Sequence, residues 1–219
     1  MNTLELLGIY DQDNLQKLFS ANTNTGSGFL SYSYRAFAEN HPIFTATLVF
    51  RQDHRNFELS AAHRVDVQLY RRHPQKPKNR KQSFYFNGEE PIYSLMEAYN
   101  LLEGRYVLKI HTGEDGAERR SWAKINFNRR FKTGNYAFEH YPASSFDLRG
   151  LLVERFDTQN RAPKFIDELS TLIEGGFVAL AAVPETLGIY LFSVAANPEF
   201  KRLDIKQVGF EPSGNVSDN

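Results

Sequence analysis

The sequence predicts an α+β protein, mainly antiparallel β-sheet with a few short helices packed on it. Three observations carry this reading. From Phe44 onward, apolar residues alternate with polar ones in several runs, the period of a half-buried strand. Aromatic residues are abundant, 18 Phe and 11 Tyr in 219 residues, which suits a β-rich core. Helical spacing of apolar residues is confined to short windows, each with its own start or stop signal.

Taken in order, Asp11 or Asp13 can cap a short helix through Leu15, Leu18 and Phe19. Ala21–Gly28 has the composition of a loop, and it lacks the GxxxxGK[ST] pattern of a phosphate-binding loop. Phe29–Phe37 reads as extended. Phe44, Ala46, Leu48 and Phe50 alternate with Thr45, Thr47 and Val49. Phe57, Leu59, Ala61, Val65, Val67 and Leu69 then hold one parity, with a turn at Asp53–Asn56, so the two runs pair as a hairpin. His63 falls on the apolar parity and reads as a core or rim histidine.

The stretch from Gln82 to Phe127 is the best-patterned part of the chain. Phe84 and Phe86 alternate with Ser83 and Tyr85. Ser94 precedes Glu97 by three residues, the spacing of a capping box, and an apolar helix over Ser94–Glu103 follows. Gly104 stands where a left-handed residue commonly ends a helix. Tyr106, Leu108 and Ile110 then share one face of a strand. Gly113, Asp115 and Gly116 supply a turn, and Ala123, Ile125 and Phe127 mark the returning strand.

Asn128–Pro142 reads as an irregular aromatic stretch. Ser144 or Ser145 is expected to cap a helix reaching Phe156, with Leu148, Leu151, Leu152 and Phe156 on one face. Ser144 and Asp147 have capping-box spacing. Pro163 opens a further helix to Glu174, with Phe165, Ile166, Leu169, Leu172 and Ile173 as its core face and Gly175-Gly176 as its stop. Phe177–Val183 and Gly188–Ala195 read as strands. Leu203 and Ile205 mark a last strand, and Gly209–Asn219 a polar tail. The expected organisation is one domain over residues 1–208, with two small lobes split near Asn128–Pro142 as the alternative.

Composition excludes several function classes. The formal net charge is zero, so there is no global pull toward nucleic acid or membrane. The absence of cysteine removes disulfides, thiolate nucleophiles and cysteine metal sites, and fits a reducing compartment. The start, MNTLELLGIYDQD, has neither the basic residues nor the apolar run of a signal peptide. No stretch approaches the roughly 20 apolar residues of a membrane span. A cytoplasmic protein without a membrane partner is the expectation. The six histidines, His41, His54, His63, His73, His111 and His140, show no ligand spacing, and no GxSxG, GxGxxG or paired-carboxylate motif occurs. No catalytic residue, metal or cofactor is therefore assigned.

One segment is charged far from the average. Arg71–Lys81, RRHPQKPKNRK, has six cations, Arg71, Arg72, Lys76, Lys78, Arg80 and Lys81, and no acid. It joins two expected strands, and Pro74 and Pro77 keep it extended. Such a loop suits sequence-blind phosphate contacts. Arg119, Arg120, Arg129, Arg130 and Lys132 would extend the patch if the fold brings these turns together.

The run from Gln82 resembles a family of uncharacterised proteins encoded on conjugative and other mobile elements of Bacteroidetes. That family shows QTFY, a helix ending in EA(Y/F)NLL(E/D)GR, a strand, a G-E turn and an AW…LDF strand. The matching residues are Gln82–Tyr85, Glu97–Arg105, Gly113-Glu114 and Trp122–Phe127. Later landmarks follow in order at His140, Phe146-Asp147-Leu148, Glu174-Gly175-Gly176 and the ANPEFK run Ala196–Lys201. The likeness covers roughly Ile43 to Val208. It departs where the family's NYGYDLE is replaced by PASSFDLR. Some relatives carry this region appended to topoisomerase- or primase-like conjugation proteins, so the resemblance implies company with DNA-handling machinery rather than a reaction. Three readings follow: an accessory protein that contacts nucleic acid through the basic loop, a protein–protein module using sheet edges or aromatics such as Tyr32, Tyr34 and Tyr141, and an enzyme of unfamiliar type. Oligomeric state is open.

Overall fold

The computed structural model describes residues 29–38, 41–51, 62–70, 79–86, 91–112, 117–156, 163–185 and 188–212. They form strands β1 (Phe29–Ala38), β2 (His41–Arg51), β3 (Ala62–Leu69) and β4 (Arg80–Tyr85), helix α1 (Leu95–Leu102), strands β5 (Val107–Thr112), β6 (Glu118–Arg130) and β7 (Tyr136–Pro142), helices α2 (Leu148–Phe156) and α3 (Pro163–Glu174), and strands β8 (Ala179–Glu185), β9 (Gly188–Asn197) and β10 (Arg202–Pro212). Single 3₁₀ turns occupy Ala143–Ser145 and Pro198–Phe200. The strands make three antiparallel sheets, β1-β2-β3-β4, β5-β6-β7 and β8-β9-β10. The α+β, mainly antiparallel class is as the sequence predicts.

Local chemistry accounts for most of these elements. Phe44, Ala46 and Leu48 of β2, and Val65, Val67 and Leu69 of β3, are buried while Thr45, Thr47, Arg64, Asp66 and Gln68 beside them are half exposed; Val49 is buried as well. The expected hairpin pairs Phe44 with Leu69 through Phe50 with Ala62. The capping box of α1 is complete: Glu97 N–H donates to Ser94 Oγ at 3.2 Å, and Ser94 N–H donates to Glu97 Oε2 at 2.7 Å. The same Oε2 receives Lys109 Nζ at 2.7 Å, tying the helix start to β5. Gly104 ends α1 at φ 88°.

The layers share their middle sheet. Its Val107, Ala123 and Ile125 meet α1 and the inner face of the first sheet in one core. Its Trp122, with Tyr106 just ahead of β5, points the other way, into a second core with α2, α3 and the third sheet. Burial on both faces requires each apolar group of the middle sheet to find a partner layer. The sequence reading treated these strands as half-buried, so it missed Val107 and Trp122. Of the residues expected to share one face, Tyr106 and Leu108 pack into the second core, whereas Ile110 is 55% exposed.

Two amide side chains fasten the first sheet to the middle one. Gln82 Nε2 donates to Tyr136 O at 3.3 Å while Tyr136 N–H donates to Gln82 Oε1 at 2.8 Å. Asn135 repeats the arrangement on Ser83, accepting from its N–H at 3.0 Å and donating to its O at 3.2 Å. Each amide acts as one residue of a ladder, so edge strand β4 is paired without a continuous sheet. At the other seam, Asn100 is fully buried. Its Nδ2 donates to Gly175 O at 2.9 Å and its Oδ1 accepts from Arg105 Nη1 at 2.7 Å. The NLLEGR and EGG landmarks thus meet as a joint between α1 and the end of α3.

Several local expectations are corrected. Asn128–Pro142 is not irregular: it holds the end of β6, a turn and all of β7, inside the shared sheet. The helix expected from Ser145 begins at Leu148. Ser145 Oγ donates back to Pro142 O, and Asp147 caps through Oδ1 to Gly150 N–H at 2.9 Å. Leu172 is 47% exposed, not core. Residues Gly209–Pro212 continue β10 rather than starting the tail. The expected N-terminal helix, the Ala21–Gly28 loop, Phe57 and Leu59, the Gly113–Gly116 turn, and residues 213–219 lie outside the described residues.

Candidate nucleic-acid interface

Of the predicted basic residues, Arg71, Arg72, Lys76 and Lys78 lie outside the described residues. The strands they connect do pair, with Leu69 opposite Arg80, so the segment leaves and re-enters the fold at one end of the first sheet. Arg80 is fixed there. Its Nη1 donates to Leu102 O at 2.7 Å, an otherwise orphaned carbonyl at the end of α1, and its guanidinium carbon sits 3.6 Å from the centre of the Phe127 ring. Lys81 beside it is exposed.

The same end receives the β6–β7 turn. Phe127 lies edge-on to Tyr136, with ring centres 5.1 Å apart, and Arg130 lies over Tyr136 at 5.2 Å. Arg80, Phe127, Tyr136 and Arg130 therefore form a ladder of two adjoining rings with a cation at each end, an arrangement that holds guanidinium groups while leaving charge at the surface. The ladder depends on an irregular register. Asn126 pairs with Ala137, yet the next pair is Arg130 with Tyr136, so Phe127, Asn128 and Arg129 stand on β6 without opposite numbers. Such bulges re-aim side chains. Asn128–Asn135, NRRFKTGN, carries Arg129, Arg130 and Lys132 with no acid. Residues 128–133 are all exposed.

Arg119 and Arg120 do not join this group. They begin β6 whereas Arg129 and Arg130 end it, a separation of about 30 Å at the rise of an extended strand. Arg120 instead ion-pairs with Glu174 at 3.5 Å and borders a cavity of about 430 Å³ with Leu108, Trp122 and Phe146. The fold thus links Arg80 and Arg130 through two rings, with exposed Lys81, Arg129 and Lys132 as their chain neighbours, and leaves out two predicted residues. It also exposes a residue that charge counting overlooked. Phe131, 51% exposed, sits between Arg130 and Lys132 with the Arg129 guanidinium 6.0 Å from its ring centre. An apolar aromatic flanked by cations in the sequence was the available signal.

A second polar cluster lies on the middle sheet. Tyr106 Oη donates to Glu199 Oε2 at 2.8 Å, and Lys124 Nζ contacts both groups, at 3.0 Å and 3.1 Å. Tyr141 donates to Glu139 at 3.2 Å and meets the Tyr106 ring edge-on at 5.7 Å. Burial, then Glu199, pushes the Tyr106 phenol well above its ordinary value. Burial, then Glu139, pushes Tyr141 up to about 12. The Tyr106 hydroxyl, then Lys124, lowers the Glu199 carboxyl. A phenol so hard to ionise is poorly suited to act as a base or nucleophile. The cluster instead pins the ANPEFK turn to β6. Tyr141, expected as an exposed docking aromatic, is half-buried here, and the Tyr32 and Tyr34 side chains lie outside the described set.

The raised phenols have a consequence in alkali. A folded-state value above the unfolded one means the native state holds its proton longer. The stabilisation is complete below about pH 10, the unfolded phenol value, and is lost as pH rises through and beyond it. Denaturant titrations between about pH 8 and 11 should show stability falling with pH, and less steeply in Tyr106→Phe. Equal slopes in the two proteins would show that Tyr106 is not responsible.

Among the described residues, no group of histidines and carboxylates is placed to hold a metal ion, and no helix is long and apolar enough to cross a membrane. No protein-family model matches the chain, no curated protein matches it in sequence and no solved structure matches it in fold.

Proposed function

We propose that this protein is a non-catalytic accessory protein of a mobile genetic element that contacts nucleic acid at the end of the fold where β4 begins and β6 turns into β7. The observation that carries the proposal is the ladder Arg80–Phe127–Tyr136–Arg130. It links Arg80, at the foot of the basic segment, to Arg130 in the acid-free β6–β7 turn, which supports a reading in which charges distant in sequence contact one stretch of phosphates. A neutral protein with its cations grouped this way binds locally rather than over its whole surface. The mobile-element setting rests on the resemblance over Gln82–Phe127 and Ala196–Lys201.

The test is a titration with single-stranded and duplex DNA at about 50 and 200 mM salt, the range over which phosphate contacts show themselves. Binding should be micromolar or tighter at the lower salt and fall steeply at the higher. Substituting Arg71, Arg72, Lys76, Lys78 and Lys81 by Ser should weaken it at least about tenfold and flatten the salt dependence, each lost contact removing about 0.7 to 0.9 from the slope. Arg80 is left in place because it supports α1. Absence of binding at the lower salt would overturn the proposal.

A second reading, a protein–protein module, is favoured by one observation. On the outer face of the third sheet Leu180 is 67% exposed, beside exposed Ala182 and its ladder partner Leu191. Exposed leucines in a sheet face are a feature of interaction surfaces. A pull-down that loses its partner with Leu180→Asp would move the conclusion there.

A further inference from the structure

The β6–β7 turn is built to hold an aromatic ring outward. Phe131 N–H donates to Asn135 O at 2.8 Å, and Gly134 N–H donates to Phe131 O at 3.0 Å. Arg130 Nε donates to Gly134 O at 2.6 Å. Asn135 is in turn fastened to the backbone of Ser83. The turn is thus closed by backbone and side-chain bonds and anchored to a second sheet. Its one large apolar side chain is nevertheless half in water, although Phe127, four residues earlier, is packed between Arg80 and Tyr136. An exposed ring fixed at a turn, with cations on both sides, suits stacking of an unpaired base while its flanking phosphates are neutralised. A duplex offers phosphates but no free base face to such a ring.

We infer that the ligand of this end is single-stranded nucleic acid, with one base stacked on Phe131 and the adjacent phosphates on Arg129 and Lys132. This rests on the nucleic-acid reading above and adds the strand type and the stacking residue. Arg129 stays over the ring in the unbound protein, so binding exchanges or sandwiches the guanidinium face rather than ordering a loose turn.

The experiment compares wild type, Phe131→Ala, Phe131→Leu and Phe131→Trp on a mixed-sequence single strand and on the duplex of the same sequence, at about 50 mM salt. Phe131→Ala and Phe131→Leu should each lose between about fivefold and about 150-fold on the single strand, the worth of one stacked base, and be unchanged on the duplex. Leucine keeps the bulk but not the π face, so a merely packing role would leave it near wild type. Phe131→Trp should retain affinity, and its added fluorescence, read against the buried Trp122 of wild type, should be quenched by the single strand alone. If wild type binds the single strand and Phe131→Ala binds it equally well, the stacking inference is overturned while the phosphate reading stands. If wild type binds neither form, both fall.

Discussion

Gly176→Ala should destabilise the protein by about 2–5 kcal/mol, read as a shift of the denaturant midpoint at unchanged slope. Gly176 follows α3 at φ 80°, where an L side chain is strained by about 1–2 kcal/mol. The added methyl would also stand 2.7 Å from Val107 Cγ2 and 3.0 Å from both Asn100 Cβ and Tyr106 O. Val107 belongs to the shared sheet, Tyr106 leads directly into it, and Asn100 is the buried amide that joins α1 to Gly175, so none can step aside without loosening the seam. Overpacking of this kind adds about 1–3 kcal/mol. Gly104 supplies the control. Its φ is 88°, but a methyl there meets only Phe127 at 3.5 Å and Arg80 at 3.9 Å, which is ordinary contact. Gly104→Ala should therefore cost only the backbone strain, about 1–2 kcal/mol. Equal costs at the two positions would mean that the seam is not tightly packed.

Trp122→Ala should cost about 3–5 kcal/mol, the range for truncating a buried large aromatic. Trp122 is 1% exposed and meets Phe146 edge-to-face at 5.5 Å. It fills the space between the middle sheet and the layer of α2 and α3. Typical domains have about 5–15 kcal/mol in all, so the variant should sit close to the unfolding threshold at ordinary temperature. Since Trp122 is the sole tryptophan, the measurement should use circular dichroism rather than fluorescence. A loss under about 1.5 kcal/mol, the scale of a volume-conserving change, would show that the second core closes over the gap or that the middle sheet is not held from that side.

Local chemistry was readable without the fold because it acts over a few residues. The Ser94–Glu97 capping box, the Pro163 start and Glu174 end of α3, and the alternation along β2 and β3 each depend on neighbours within a turn or on the pleat. The sequence also marked the charged residues, since a run of six cations needs no context to be noticed. It failed at Asn128–Pro142. There the bulge at Phe127–Arg129 breaks the period-two pattern, and the turn uses Asn135 to reach another sheet instead of a short hairpin signature.

What the sequence by itself determined is the class of the protein, most of its strand and helix cores, and the chemistry of its basic segment. The tertiary structure alone decided which faces meet. Val107 and Trp122 lie on opposite sides of one sheet and are buried alike, because layers supplied by distant parts of the chain cover both sides. It also sorted the arginines, sending Arg119 and Arg120 to one end of β6 and Arg129 and Arg130 to the other, beside Arg80. Charge is a property of a residue, but a binding surface is a property of distance, and distance is fixed by non-local packing.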